Sequence, residues 1–441
     1  MALYADLTNL ADVLKNVYGE GLTNQFNDEK VTYNMFQKSE RKPGGNGYVF
    51  GIRKSRNQST GARAESKKLP DPQTGTKDQG TITPKYLYGS IRITGPAIEK
   101  AKGNQAAFVD SLADEIDDIY QSIVVDMNRM CHWDGFGQLG RTSAALTTVP
   151  ASSYAVTFDN DIGIMYMNEG QAFDFYASAG DTIPGATASA VHGQRILTIT
   201  PSTKVVVVTN GTDFTANHPY ASAYTNAVGL STLAAGAIAV KMGARDLAWA
   251  SADTPVELIG LDAIFDDGTN LDTFEGIDAD AIPVWRSNVI SNSSVNRELS
   301  IDLMLNACDL TRTRSGQKVS KILMGLGQRR KYANLLLPDV RFAPTVLKGG
   351  YETLSFSGGD GSLEIVIDPM CQPNRIYFMP DGIVQKYELT PLGWGNLDNS
   401  QLHQRASYDE WDAFLRIYTN LGCEQRNNLT LLKDLTEPSL Y

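Results

Sequence analysis

One stretch limits the folding options of this chain more than any other: residues 47–93, "GYVFGIRKSRNQSTGARAESKKLPDPQTGTKDQGTITPKYLYGSIRI". Its two ends alternate as strands do, with Tyr48, Phe50 and Ile52 outbound and Leu87, Gly89, Ile91 and Ile93 on the return. The pattern predicts an antiparallel hairpin stem with a long polar tip. Nothing between the ends can build a core. An isolated two-stranded hairpin is marginal in water, and structureless tips of this length are usually functional or disordered. Such an arm gains order only against something else.

Charge says what that something is. Between Lys38 and Arg92 stand 12 Lys and Arg against 4 Asp and Glu. The whole chain carries −11, which leaves about −19 on everything outside this segment. A basic arm on an acidic body predicts an arm resting on another copy. The net negative charge also argues against tight nucleic-acid binding by the surface as a whole.

The rest reads as ordinary globular material, 42% hydrophobic and 20% charged over 441 residues, enough for two or three domains. Residues 5–18 have helical spacing, and 19–41 read as an extended arm with local turns. The longest helical signal is 97–130. Ile98, Ala101, Phe108, Leu112, Ile116, Ile119, Ile123, Met127 and Met130 recur at three- and four-residue steps. At 1.5 Å per residue that helix would be on the order of 50 Å long. Asp110, Asp114, Glu115, Asp117, Asp118 and Asp126 share its other face. "WDGFGQLG", 133–140, ends it in a glycine-rich turn.

From about 143 to 285 the composition shifts to Ala, Gly, Thr, Ser and Val with short strand-like runs, predicting an inserted antiparallel β-domain. After 285, "NRELSIDLMLNACDLTRTR" predicts a helix, "KILMG" a buried strand and "GQRRKYANLL" a following helix. "LEIVIDPMCQPNRIYFMP" reads as strand, turn, strand. The closing "DEWDAFLRIYTNLGCEQRNNLTLLKDL" reads as a long strand, a turn around Gly422 and a shorter strand.

Taken in order, these segments resemble the major capsid protein of tailed double-stranded DNA bacteriophages, with the Hong Kong 97-like coat fold. Asp134, Gly135 and Gly137 match that family's D-G-x-G turn, and "KILMGLGQRRKYANLL" looks like its axial-domain strand and helix. The resemblance implies an α+β fold. Its parts would be an N-terminal arm (1–46), an E-loop β-hairpin (47–93), a spine helix with the start of the peripheral domain (94–142), and peripheral and axial domains (286–441). The β-rich insert, 143–285, departs from the minimal family pattern, so its role does not transfer.

The resemblance further implies a structural protein with no catalytic activity and no cofactor. Copies would assemble as hexamers and pentamers into an icosahedral shell around double-stranded DNA, without sequence-specific contact. Scaffolding, portal and decoration proteins are the implied partners. The shell would form in the host bacterial cytoplasm and end in the virion. In this family the E-loop lies across a neighbouring subunit. Arg53, Lys54, Arg56, Arg63, Lys67 and Lys68 are therefore expected to face acidic residues of the next copy. Asp110, Asp114, Asp117 and Asp118 on the spine, or the acidic stretch 262–280, are the candidates. Some members form Lys–Asn cross-links, for which Lys67 or Lys68 could supply the lysine; the Asn and carboxylate that this chemistry also needs cannot be located in the sequence, so cross-linking is not the expectation here. Two other readings are an encapsulin-like nanocompartment sharing the fold, and a glycan-binding β-protein using Trp249, Tyr166, Tyr176, Tyr220 and Tyr224.

Chemistry of other kinds finds little support in the residues. "LDAIFDDGTNLDTFEGIDAD" is acid-rich but puts Phe265 where an EF-hand needs its third-position ligand. Cys131 and His132 are adjacent, yet the other histidines, His192, His218 and His403, are distant, so neither a zinc pattern nor a Cys-His nucleophile assembles. Four scattered cysteines suit free thiols in a reducing compartment. "KPGGNGYVFG" lacks the Gly-Lys-Ser/Thr ending of a phosphate loop. The opening residues lack the basic and apolar regions of a signal peptide, and no run approaches the roughly 18 apolar residues of a membrane span.

Overall fold

The structure is a computed structural model. It describes residues 31–96, 105–176, 190–209, 235–246, 254–340 and 355–438, apart from 46, 145–146, 150–152, 160, 243, 358–360, 396–402 and 406. The helix expected at 5–18 lies outside these residues.

Three sheets organise the fold, which is mixed α/β. The first is built around the 14-residue strand Glu410–Cys423. Lys85–Thr94 pairs antiparallel along one of its edges, Thr94 opposite Glu410 through Lys85 opposite Thr419. Val384–Trp394 pairs antiparallel along the other, and Gln37–Lys38 runs parallel to Gln385 and Lys386 beyond it. Leu87, Ile91, Ile93, Leu415 and Ile417 turn inward onto one side of the long helix Gln105–Met130, where Ile116, Ile119, Ile123, Met127 and Met130 meet them. The period-two and period-3.6 apolar patterns thus face each other. Gly89 sets their spacing: a Cβ there would lie 2.6 Å from Ile123 Cδ1 and 3.0 Å from Ile119 Cδ1. Gly89→Val is therefore expected to lower unfolding stability by about 1–3 kcal/mol, the usual range for overpacking, as read by urea denaturation.

The second sheet has six strands, ordered Asn288–Ile290, Thr430–Leu432, Ile376–Met379, Lys321–Met324, Ser362–Ile367, Ser355–Ser357. Its central strands are buried on both faces, as continuous apolar runs should be. Helices Ile301–Ser315 and Leu326–Val340 pack on it through Met304, Ala307 and Tyr332. Ser300 caps the first by accepting from the Leu303 amide at 3.2 Å, and Gly316 ends it with φ 75°.

The third sheet is antiparallel throughout and has seven strands. Gln138–Arg141 stands at one edge, followed by Ile238–Lys241, Ala172–Tyr176, Ala190–Thr200, Val205–Thr209, Ser153–Thr157 and Thr147–Val149. It encloses its own core of Val156, Phe158, Phe173, Phe175, Ile196, Val206 and Val208. The strands expected inside 143–285 are present. That stretch is nevertheless two packing units. Leu261, Ile264, Phe265, Phe274, Ile277 and Trp285 belong to the central core, with Tyr377, Tyr387 and Leu421.

Two sequence expectations are corrected. The outbound strand Tyr48–Arg53 pairs with Lys77–Ile82, not with the Leu87–Ile93 run, which belongs to the first sheet. Gly422 does not turn: it lies within Glu410–Cys423, and the chain reverses at the 3-10 turn Arg426–Asn428. A side chain at 422 would collide with Ile82 and crowd Glu275, which is why a glycine stands inside a strand.

Candidate subunit interface

The hairpin Tyr48–Arg53/Lys77–Ile82 roots the basic arm in its own chain. Tyr48, Phe50 and Ile82 are buried in the central core. The Tyr48 ring lies 5.1 Å from that of Tyr387, and the Phe50 ring 5.7 Å from that of Trp285. The Thr81 amide donates to the Glu275 carbonyl at 2.8 Å. Arg41 pairs with Glu424, and Lys38 with Glu388 at 2.6 Å, strapping the entering segment to the same region. This corrects the expectation that all of 47–93 depends on a second molecule for order. The stem is ordered by its own subunit.

The tip is different. Lys54 and Ser55 extend the pairing by donating backbone N–H to the Thr76 carbonyl, and then the strands end. Arg53, Lys54, Arg56, Arg63, Lys67 and Lys68 are all exposed. Lys68 pairs locally with Asp71 at 2.6 Å, and Arg63 Nε donates to the Lys68 carbonyl at 3.2 Å. Among the described residues, Arg53, Lys54, Arg56 and Lys67 have no acidic side chain within ion-pair distance. Leu69 is 78% exposed beside them.

The expected acidic receivers divide. Asp117 and Asp118 are exposed on the long helix, next to exposed Tyr120, with no described ion pair. The side chains of Asp110 and Asp114 lie outside the described residues. The stretch 262–280 mostly uses its carboxylates internally. Asp262 pairs with Arg375 and Asp280 with Arg286. Asp266 accepts from the Gly268 and Leu271 amides at 2.9 and 3.1 Å, and Asp278 from the Asp280 amide at 2.8 Å. Geometry therefore favours the helix face over this loop as an acceptor of positive charge.

Two buried polar clusters position the helix that carries Asp117 and Asp118, and sequence spacing gave no sign of either. Asp368 Oδ2 accepts from the Thr32 amide (3.1 Å), Thr32 Oγ1 (2.5 Å), Asn128 Nδ2 (3.0 Å) and His132 Nε2 (3.1 Å). Those bonds hold the Asp368 carboxyl well below the usual carboxylate range, against its burial. Arg129, fully buried, donates to Asp126 at 2.8 Å and to Glu257 at 2.6 Å, while Lys241 reaches Asp126 at 2.6 Å. This quartet fastens the helix end to the seven-stranded sheet. The following turn depends on glycine, with φ 90° at Gly135 and 76° at Gly137, and Asp134 Oδ1 accepting from the Phe136 amide at 3.0 Å.

Other chemistry fares poorly. Burial pushes the Cys131 thiol far above its ordinary value, and His132 is committed to Asp368. Among the described residues no group of three or more His, Cys, Asp or Glu could hold a metal ion. No described helix is long and apolar enough to cross a membrane. Of the aromatics considered for glycan binding, Tyr176 is buried in the sheet core and the Tyr166 hydroxyl donates to the Met370 carbonyl. Trp249, Tyr220 and Tyr224 fall outside the described residues.

The capsid asymmetric unit of cyanophage A-1(L) superposes with a TM-score of 0.57 at 13% identity, over 96% of this chain and 97% of that one. The chain has a phage capsid fold. Weaker likenesses are to the capsid of a native GTA particle (TM-score 0.47, 9% identity, 99% and 100% covered) and to that of Myoviridae phage XM1 (0.43, 12%, 97% and 98%). No family model and no curated protein matches the sequence. Within this capsid fold, residues 54–76 of the basic tip include no buried residue.

Proposed function

We propose that this chain is the major capsid subunit of a tailed phage, assembling as hexamers and pentamers into a closed icosahedral shell around double-stranded DNA. The observation that carries this reading is the capsid fold over almost the full length, 96% of this chain and 97% of the cyanophage chain. The exposed basic tip, with an ordered root and, among the described residues, four cations (Arg53, Lys54, Arg56 and Lys67) that meet no acidic side chain, supports it. In this reading residues 1–46 are the N-terminal arm, 47–93 the E-loop and 94–142 the spine. Residues 143–285 are the inserted region, and 286–441 the peripheral and axial domains of a Hong Kong 97-like subunit. The role is structural rather than catalytic, and its place is the virion.

Arg53, Lys54, Arg56, Arg63, Lys67 and Lys68 of one copy would meet the acidic helix face of the next, Asp110, Asp114, Asp117 and Asp118. Exposed Leu69 adds an apolar contact. Each exposed ion pair contributes only about 0–1 kcal/mol, so the contact is a sum of weak, reversible terms. That suits a shell whose misplaced subunits must detach. Scaffolding, portal and decoration proteins would be its partners in the host cytoplasm.

Negative-stain electron microscopy of the expressed protein, alone and co-expressed with a tailed-phage scaffolding protein, tests the reading. Closed shells of uniform diameter in either preparation are expected. A strictly monomeric protein in both would overturn it.

A further inference from the structure

Glu275 stands in a backbone conformation its residue type disfavours. It forms the turn of the small hairpin Thr273–Phe274/Ile277–Asp278 together with Gly276. The two φ angles are 53° and 81°, a left-handed pair that suits Asn or Gly in the first place. The turn is wedged between the root of the basic arm and the end of strand Glu410–Cys423. Its carbonyl accepts from the Thr81 amide at 2.8 Å, and its side-chain Oε1 accepts from the Cys423 amide at 3.1 Å. The other carboxyl oxygen, Oε2, is buried without a hydrogen-bond partner.

The groups around it leave an alternative open. Arg426 donates through Nε to the Ile264 carbonyl at 2.9 Å and through Nη2 to the Ala263 carbonyl at 2.8 Å. Its third nitrogen, Nη1, is buried and also unpartnered. Glu424 is engaged by Arg41 and accepts from the Tyr387 hydroxyl at 3.1 Å. The Cys423 thiol and the Tyr387 hydroxyl also neighbour Glu275, and Arg426 faces Asp266, whose Oδ2 lies 4.0 Å from Nη2, and Asp267. Glu275 and Arg426 make no ion pair as they stand, although each presents an unsatisfied atom. Buried unsatisfied groups of opposite sign are the raw material of a two-state element.

We propose that Glu275 is a proton-operated latch at the root of the basic arm. Protonated, the neutral carboxyl tolerates an unpartnered Oε2, and the turn holds strand Lys77–Ile82 through Thr81. Ionised, the buried Oε2 cannot stay unpartnered; the carboxylate shifts toward Nη1 of Arg426, the strained turn relaxes, and the Thr81 amide is released. Burial pushes the Glu275 carboxyl up to about 8; the Cys423 amide and Arg426 pull it down and Glu424 pushes it further up. A carboxyl raised in the folded state contributes most below its ordinary range, and the contribution is lost as pH rises toward 8. The latch is therefore shut in acid and opens in mild alkali. This inference goes beyond the capsid reading; only its consequence for arm docking rests on that reading, and the test reads the single chain.

Hydrogen–deuterium exchange of the full-length protein from pH 6.5 to 9.5, corrected for intrinsic rates, provides that test. Protection of the 77–82 peptide is expected to fall about tenfold or more between pH 7 and 9 in the wild type, while that of 362–367 stays level. Glu275→Gln, neutral at every pH, should keep 77–82 protected throughout. Glu424→Gln removes the like charge and should move the wild-type transition to lower pH. Parallel profiles in wild type and Glu275→Gln would overturn the proposal. Should Glu275→Gln fail to fold, an unmoved or raised transition in Glu424→Gln would do the same.

Discussion

A chain in which Arg53, Lys54, Arg56, Arg63, Lys67 and Lys68 are all glutamine is expected to fold normally and to close no shells. The six side chains are exposed, and among the described residues the only ion pair they make is the local Lys68–Asp71 contact. Removing exposed charges of this kind changes monomer stability by about 0.5 kcal/mol or less each. Intersubunit terms add over six sites in every copy, so their joint loss removes several kcal/mol per interface at about 0–1 kcal/mol each. The matching experiment reverses the other side: Asp117→Lys with Asp118→Lys should also block assembly, and mixing it with a Lys67→Glu, Lys68→Glu chain should partly restore it. Wild-type assembly should weaken as salt rises from 0.05 to about 0.5 M, because the Debye length falls well below 10 Å over that range. Light scattering reads all three. Unchanged assembly of the six-glutamine chain would remove the arm from the interface.

The second large effect is on stability. Asp368→Ala is expected to lower the unfolding free energy by about 3–5 kcal/mol, the range for breaking a buried charged cluster from one side. The carboxylate gathers donors from Thr32, Asn128 and His132 on Oδ2, and its Oδ1 accepts from the Met370 amide at 2.8 Å. Alanine leaves the Thr32, His132 and Met370 donors buried without this acceptor, and leaves Asn128 Nδ2 only the weak Met370 sulfur at 3.3 Å. The same substitution frees Thr32, so proteolysis near residues 31–35 should begin at lower protease concentration than in wild type. Because the folded-state carboxyl is depressed, its contribution is present above the ordinary Asp range and lost as pH falls below it. The wild-type advantage over Asp368→Ala should therefore shrink in acid. Urea melts at pH 7 and pH 3 read both quantities.

Much of the architecture is legible from periodicity. The long helix shows because Ile116, Ile119, Ile123, Met127 and Met130 keep one face over a single sheet. Lys321–Met324 and Ile376–Met379 show as apolar runs because both of their faces are buried. The stem's return strand was hidden for the opposite reason. In "KDQGTI" only Gly80 and Ile82 meet the core, so alternation is faint, whereas the stronger signal at 87–93 belongs to a strand that pairs elsewhere. Thr83 and Pro84, between the two strands, were the available mark of the break. Gly422 misled because its missing side chain makes room for Ile82 and Glu275, both distant in sequence.

The basic tip stands out in the sequence because charge needs no partner to be seen. The clusters at Asp368 and Arg129 were not, since Thr32 and Asp368 are separated by 336 positions and Arg129 and Glu257 by 128. Glu275 looked like one more acid in an acidic loop. Its burial comes from the hairpin stem and the end of strand Glu410–Cys423, which no local pattern announces.

Cryo-electron microscopy of purified closed particles, at a resolution that traces individual chains, tests the central claim most directly. The account predicts density for residues 54–76 lying on an adjacent copy, with the lysines of the tip against the outward acids of its long helix. Particles in which that segment folds back over its own subunit, or a protein that never encloses a volume, would contradict it.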